Sequence, residues 1–132
     1  MSTVLLLGDD EALLEGLAQL VAGAGLRPVH ARTAVEALEL SAATTPLAAV
    51  IDREIALTTP EVLRLPLVPG GAFILYSSTA EAVETLPVRL ARVVMAELTL
   101  PLERHRLLTL LQRVAARARD TGRMPEPPEM RG

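Results

Sequence analysis

The chain has 132 residues, half of them hydrophobic, which suits one domain with a sizeable core. Phe73 and Tyr76 are its only aromatics, so that core has to be built from Leu, Val, Ile and Ala. A net charge of −3 and the lack of cysteine argue against a nucleic-acid binder with a broad basic face, and exclude disulfides and thiolate metal sites.

Thr3 to Leu7 is an apolar run that fits a strand covered on both faces. After Gly8, Asp9 and Asp10 a helical pattern opens, with Leu13, Leu14, Leu17, Val21 and Ala24 on one face. Asp9 or Asp10 can cap it, and Gly25 stands where a left-handed terminal residue is wanted, ahead of apolar Leu26. Arg27 to Ala31 is a weaker strand whose Pro28 suits a sheet edge or a strand start. Thr33 and Glu36 form a capping box for a helix to about Ser41, with Val35, Leu38 and Ala42 as its expected buried stripe.

Pro46 breaks the chain before Leu47-Ala-Ala-Val-Ile-Asp52, a short apolar run ending in a carboxylate. Thr59 as N-cap with Pro60 at the first helical position predicts the next helix, kept short by Pro66 and Pro69. Gly70 and Gly71 turn into a fourth strand over Ala72 to Tyr76. Ser78 and Glu81 make a second capping box, opening a short helix that Pro87 interrupts or ends. The fifth strand is expected over Arg92 to Leu98, centred on Val93, Val94 and Met95. The clearest helix runs from about Leu102 to Arg119, with Leu107, Leu108, Leu111, Val114, Ala115 and Ala118 as its stripe and a solvated arginine face opposite. Residues 1–119 form the expected domain, and 120–132, with three prolines, a disordered tail.

Five strand–helix units in alternation imply an α/β, doubly wound, flavodoxin-like fold with a five-stranded parallel sheet in the order 2-1-3-4-5. Strands one and three are then neighbours, so Asp9 and Asp10 converge on Asp52 at the carboxyl rim, where open α/β sheets place their ligands. Three carboxylates so close raise one another's pKa, and a cation offsets them; oxygen-only ligands with open positions favour Mg²⁺. Each residue alone also has a plainer reading. Asp52 can be a strand-terminating turn residue, Asp9 and Asp10 helix caps, and Ser77 a polar strand end. His30 and His105 read as ordinary surface residues.

In this order and spacing the chain, up to about Arg119, resembles the receiver domain of bacterial two-component response regulators. Leu5-Leu-Leu-Gly-Asp9-Asp10-Glu11 resembles the family's acidic pair after its first strand, and Ala49-Val-Ile-Asp52 its phosphoacceptor strand. Ile74-Leu-Tyr-Ser77-Ser78 resembles the fourth strand with its switch Ser/Thr, and Leu98-Thr-Leu100-Pro101 the Lys-Pro turn after strand five. The resemblance implies Asp52 as phosphoacceptor, Mg²⁺ at Asp9, Asp10 and Asp52, and Ser77 hydrogen-bonded to the phosphoryl group. It also implies a histidine kinase or phosphotransfer protein as donor. Three departures stand out. Leu100 replaces the near-invariant Lys, Arg53-Glu-Ile-Ala56 follows Asp52 where the family tends to have a proline, and Glu97 stands near the place of the aromatic switch residue.

Two readings follow, neither of them an enzyme. One is a stand-alone receiver-like signalling protein of a phosphorelay. The other is a pseudo-receiver, a protein–protein interaction module that works without phosphorylation. A small-molecule site at the same rim is a third class, because one fold hosts many functions. No run is apolar enough to span a bilayer, and the first residues lack the basic start of a signal peptide, so the expected location is cytoplasmic, with no membrane or direct nucleic-acid partner. Output is expected to pass through an unidentified partner protein. Arg89, Arg92, Arg104 and Arg113, mixed with Glu97 and Glu103, suit a salt-sensitive homodimer or docking face.

Overall fold

A computed structural model describes residues 2–78 and 85–122. Its strands are β1 (Thr3–Leu7), β2 (Arg27–Ala31), β3 (Ala48–Asp52), β4 (Ala72–Ser77) and β5 (Val94–Thr99). Its helices are α1 (Glu11–Gly23), α2 (Ala34–Thr44), α3 (Arg53–Thr58), α4 (Val88–Ala91) and α5 (Arg104–Gly122), with a 3-10 helix over Pro60–Arg64. All strand pairs are parallel, in the order β2-β1-β3-β4-β5. This is the doubly wound order that the alternation of elements implies.

Strand pleating divides the core in two. Val4 and Leu6 of β1, Ala48 and Val50 of β3, and Ile74 and Tyr76 of β4 pack against α1 and α5 through Leu14, Leu17, Val21, Leu107 and Leu111. Their neighbours Leu5, Leu7, Ala49, Ile51 and Leu75 pack on the other side, against Ala37, Ala56, Val62 and Leu90. Each fully buried Leu contributes on the order of 1.5–3 kcal/mol, so the paired layers fix both the register and the face of every rim residue. Pro28 lies in the edge strand β2, as its missing N–H suggests, and Gly25 takes the left-handed conformation (φ +83°) after α1.

Several local expectations need correction. The stripe Val35, Leu38, Ala42 does not face the core. Val35 and Leu38 are 69% and 53% exposed, whereas Ala37 and Ser41 are buried. α2 packs its small residues against the sheet, and the Ser41 hydroxyl donates to the carbonyl of Pro66 at 2.5 Å. The inward face of α2 is completed by Ala34 and Leu40, which are partly buried against the same core. The helix expected at Pro60 is a 3-10 turn, and Thr59 makes no side-chain cap. An α-helix instead begins directly at Arg53, capped by Asp52 itself. The fifth strand starts at Val94 rather than Arg92, leaving Val93 exposed before it. The short helix expected between Ser78 and Pro87 falls mainly on residues outside those described, and α4 follows Pro87. Glu81 of the second capping box, and the Pro-rich stretch after Gly122, lie outside the described residues.

Candidate functional site: an acidic rim over a buried tyrosine

Continuing the pleat to the carboxyl end of the sheet decides which residues meet. Asp52 follows Ala48 and Val50 on the α1/α5 face of β3, and Gly8 follows Val4 and Leu6 on β1. Asp52 is paired in register with Tyr76 of β4. Leu7 is paired with Ile51, so Gly8 continues level with Asp52. Gly8, Asp52 and Tyr76 thus form a row across three adjacent strands, with Asp9 and Asp10 immediately above it.

The three carboxylates differ in what holds them. Asp10 caps α1, its Oδ1 accepting the N–H of Leu13 at 3.1 Å. Asp52 caps α3, its Oδ1 accepting the N–H of Glu54 at 2.9 Å. The plainer reading of Asp10 as a helix cap therefore holds as far as it goes, while Asp52, read as a strand-terminating turn residue, both ends β3 and caps α3. Asp52 is also half-buried, and burial pushes its carboxyl above the ordinary aspartate value. The Glu54 N–H pulls the other way, and the charges of Asp9, Glu54 and Asp10 push it up again. Among the described residues no three acidic or histidine side chains gather closely enough to enclose a metal ion. Asp9, Asp10 and Asp52 share a rim and a field rather than a closed cage. The donor set is still all oxygen, the chemistry that suits a hydrated Mg²⁺.

Ser77 ends β4 one residue beyond Tyr76, half-buried, and its carbonyl accepts the N–H of Leu100 at 2.9 Å. Leu100 is wholly buried (0% exposed) in the α1/α5 core with Tyr76, Leu98 and Leu107, and the Leu100–Pro101 peptide is cis. The position that resembles the family's Lys is therefore spent on core packing. Arg53, beside Asp52 in sequence, is 5% exposed, and its Nε donates to Glu97 Oε1 at 3.0 Å. Glu97 sits in register with Leu75, which belongs to the opposite face of the sheet from Asp52. Of the other acid on the expected docking face, Glu103, the carboxylate accepts the N–H of Thr99 at 2.7 Å. That bond first, and Arg106 after it, hold the Glu103 carboxyl below its usual range.

Sequence reasoning passed over two residues. Tyr76 is 2% exposed, and its hydroxyl is buried with no hydrogen-bond partner among the described residues. Burial, and then the charges of Asp52, Asp10 and Asp9, push it well above the usual tyrosine value, so it stays a neutral O–H. Gly8 is what admits it, since a Cβ there would collide with Tyr76 Oη. The Gly8 carbonyl in turn accepts from His30 Nε2 at 3.3 Å. One signal was available: Tyr76 is the only tyrosine, and period-two alternation in β4 sets it beside Asp52.

With this geometry in hand, comparison with solved structures is decisive for the fold. The chain matches a CheY-like response regulator receiver domain from Methylobacillus flagellatus with a TM-score of 0.69 and 17% identity, over 86% of this chain and 98% of that one. The chain has the receiver-domain fold. The receiver fold recurs in a response regulator receiver modulated diguanylate cyclase from Pelobacter carbinolicus (TM-score 0.72, 19% identity, 94% of this chain and 100% of that one). It recurs again in the pseudo-receiver domain of the CikA protein (TM-score 0.63, 18% identity, 87% of this chain and 98% of that one). No family model and no curated sequence matches the chain. No helix among the described residues is long and apolar enough to cross a membrane.

Proposed function

We propose that this chain is a receiver-like signalling module in which Asp52 accepts a phosphoryl group, and that it acts through a protein partner rather than as an enzyme. The observation that carries this reading is the position of Asp52. A half-buried carboxylate ends the central strand on the same face as Gly8 and Tyr76, with Asp9 and Asp10 beside it and Ser77 at the end of the next strand. In the transfer, an Asp52 Oδ forms a bond to phosphorus. The bond from phosphorus to the donor breaks, and the donor leaves with its electron pair. With a histidine kinase or phosphotransfer protein as donor, the leaving group is a histidine imidazole. Asp9, Asp10 and Asp52 are the residues that would hold Mg²⁺, which when bound would offset charge on the transferring oxygens. Ser77 is the hydroxyl suited to hydrogen-bond the phosphoryl group once it is on Asp52.

A second reading has specific support. Leu100 is wholly buried, so it supplies no cation at the rim, and Arg53 is engaged with Glu97. Both favour a pseudo-receiver, a binding module that works without phosphorylation. The docking face remains the one around α4, β5 and α5. With Glu97 and Glu103 engaged internally, Arg89, Arg92, Arg104 and Arg113 are its outward charges. The cytoplasm, where phosphodonor proteins meet receivers, is the location consistent with either reading.

Acetyl phosphate with Mg²⁺, followed by intact mass, separates the two. The phosphoacceptor reading expects a single phosphoryl adduct on the wild type, none on Asp52→Asn, and a weaker or shorter-lived one on Ser77→Ala. A wild type with no adduct and no beryllofluoride response leaves the pseudo-receiver.

A further inference from the structure

We propose that Tyr76 Oη is a binding donor of the acidic rim: from beneath, its O–H hydrogen-bonds an electronegative atom of the tetrahedral anionic group seated at Asp52. This rests on the phosphoacceptor reading and extends it to a residue outside the resemblance. Tyr76 springs from β4, and its hydroxyl ends against Gly8 on β1, with β3 and Asp52 between them. The side chain therefore passes below the place where a group on Asp52 would sit.

Its hydroxyl does nothing for the fold that can be named. It is buried, it has no hydrogen-bond partner among the described residues, and it demands a glycine at position 8. A Phe would fill the same core without either cost. Buried polar atoms in native proteins are nearly always paired, so an orphaned donor under three carboxylates points to a partner that arrives with a ligand. Protonated phenol can donate into that site without adding negative charge, which a carboxylate cannot do. Leu100 packs in the same core cluster and offers no hydrogen bond, so Tyr76 supplies what that position lacks, apart from the charge.

The test uses the full chain, Mg²⁺ and beryllofluoride, with Tyr76→Phe as the variant. Tyr76 is the only tyrosine and there is no tryptophan, so near-ultraviolet absorption and emission of the wild type report on this side chain. Wild-type emission is expected to change as beryllofluoride binds. Tyr76→Phe is expected to bind about ten-fold more weakly, read by NMR, with no loss of thermal stability. Gly8→Ala should also weaken binding, because the new methyl displaces Oη. Gly8→Ala in the Tyr76→Phe background should bind no worse than Tyr76→Phe alone, and that double variant keeps the test open if Gly8→Ala by itself fails to fold.

Equal affinity of wild type and Tyr76→Phe would overturn the inference and leave the phosphoacceptor reading standing. A loss of stability matching the loss of affinity would also overturn it, since the hydroxyl would then have a protein partner. Absence of any beryllofluoride response in the wild type would remove both.

Discussion

The β1/β3 half of the rim and the β4/β5 half are built on opposite plans. β1 and β3 are buried along almost their whole length and deliver Asp9, Asp10 and Asp52 to one place. β4 and β5 border the same site, but they and the turn after β5 bring a phenol with no hydrogen-bond partner among the described residues, the core residue Leu100 and a glutamate already paired with Arg53. One half collects negative charge, and in the other Leu100 is a buried, uncharged side chain that offers it no cation. Fold and site are therefore separable. The strand order holds on both halves although the chemistry at their strand ends differs, because the layers below are built from the same aliphatic residues.

The largest effect is expected at Leu100. Leu100→Lys puts an ammonium at a fully buried apolar position, and should cost roughly 3 kcal/mol of stability in chemical denaturation. Leu100→Met should cost under about 1.5 kcal/mol. If the charge deficit is real, the folded fraction of Leu100→Lys should bind beryllofluoride with Mg²⁺ more tightly than wild type. A looser or unchanged affinity would show that charge is not what the β4/β5 half lacks.

Gly8→Ala comes next, at about 2 kcal/mol, because overpacking against Tyr76 forces the ring or the strand to shift. Most of that loss should return in the Gly8→Ala/Tyr76→Phe double variant, and thermal unfolding of the four proteins of the cycle measures the coupling. Glu97→Gln should cost about 1 kcal/mol. It removes the charge facing buried Arg53, but Glu97 is itself half-exposed and the pair is screened accordingly. Raising salt should narrow the gap between Glu97→Gln and wild type; a gap independent of salt would indicate lost packing instead.

The smallest effect has the opposite sign. Asp52→Asn keeps an oxygen to accept the Glu54 N–H and removes a charge that burial and the nearby acids disfavour. Without divalent cation it should melt a few degrees above wild type at neutral pH. The folded carboxyl titrates above the unfolded one, so the folded chain holds the extra proton between the two values. Wild-type stability from this group therefore falls as pH rises through that window. The advantage of Asp52→Asn should be absent in acid below the ordinary aspartate value and complete once pH passes the raised folded one. Melting curves across that range that stay parallel would mean that Asp52 is not under the strain its surroundings imply.

The frame of the molecule is legible in the residue pattern. Runs such as Thr3–Leu7 and Ala48–Asp52 are short and apolar as doubly covered strands are, and their alternation with helical patterns leaves few topologies. From that order alone Asp9, Asp10, Asp52 and Ser77 could be assigned to one rim, because strand ends are fixed by strand order. Tertiary structure decided everything that depends on direction and depth. Val35 and Leu38 look like a core stripe in sequence, yet α2 turns Ala37 and Ser41 inward, with Ala34 and Leu40 partly buried beside them. Arg53 gives no hint in sequence of which way it points, and the pleat sends it toward Glu97, forty-four residues away. Tyr76 and Gly8 are sixty-eight residues apart and acquire meaning only together, when β3 lies between β4 and β1 and a ring from one strand reaches the backbone of the other. Periodicity records which face a residue takes; what it meets there is set by neighbours that the local sequence does not contain.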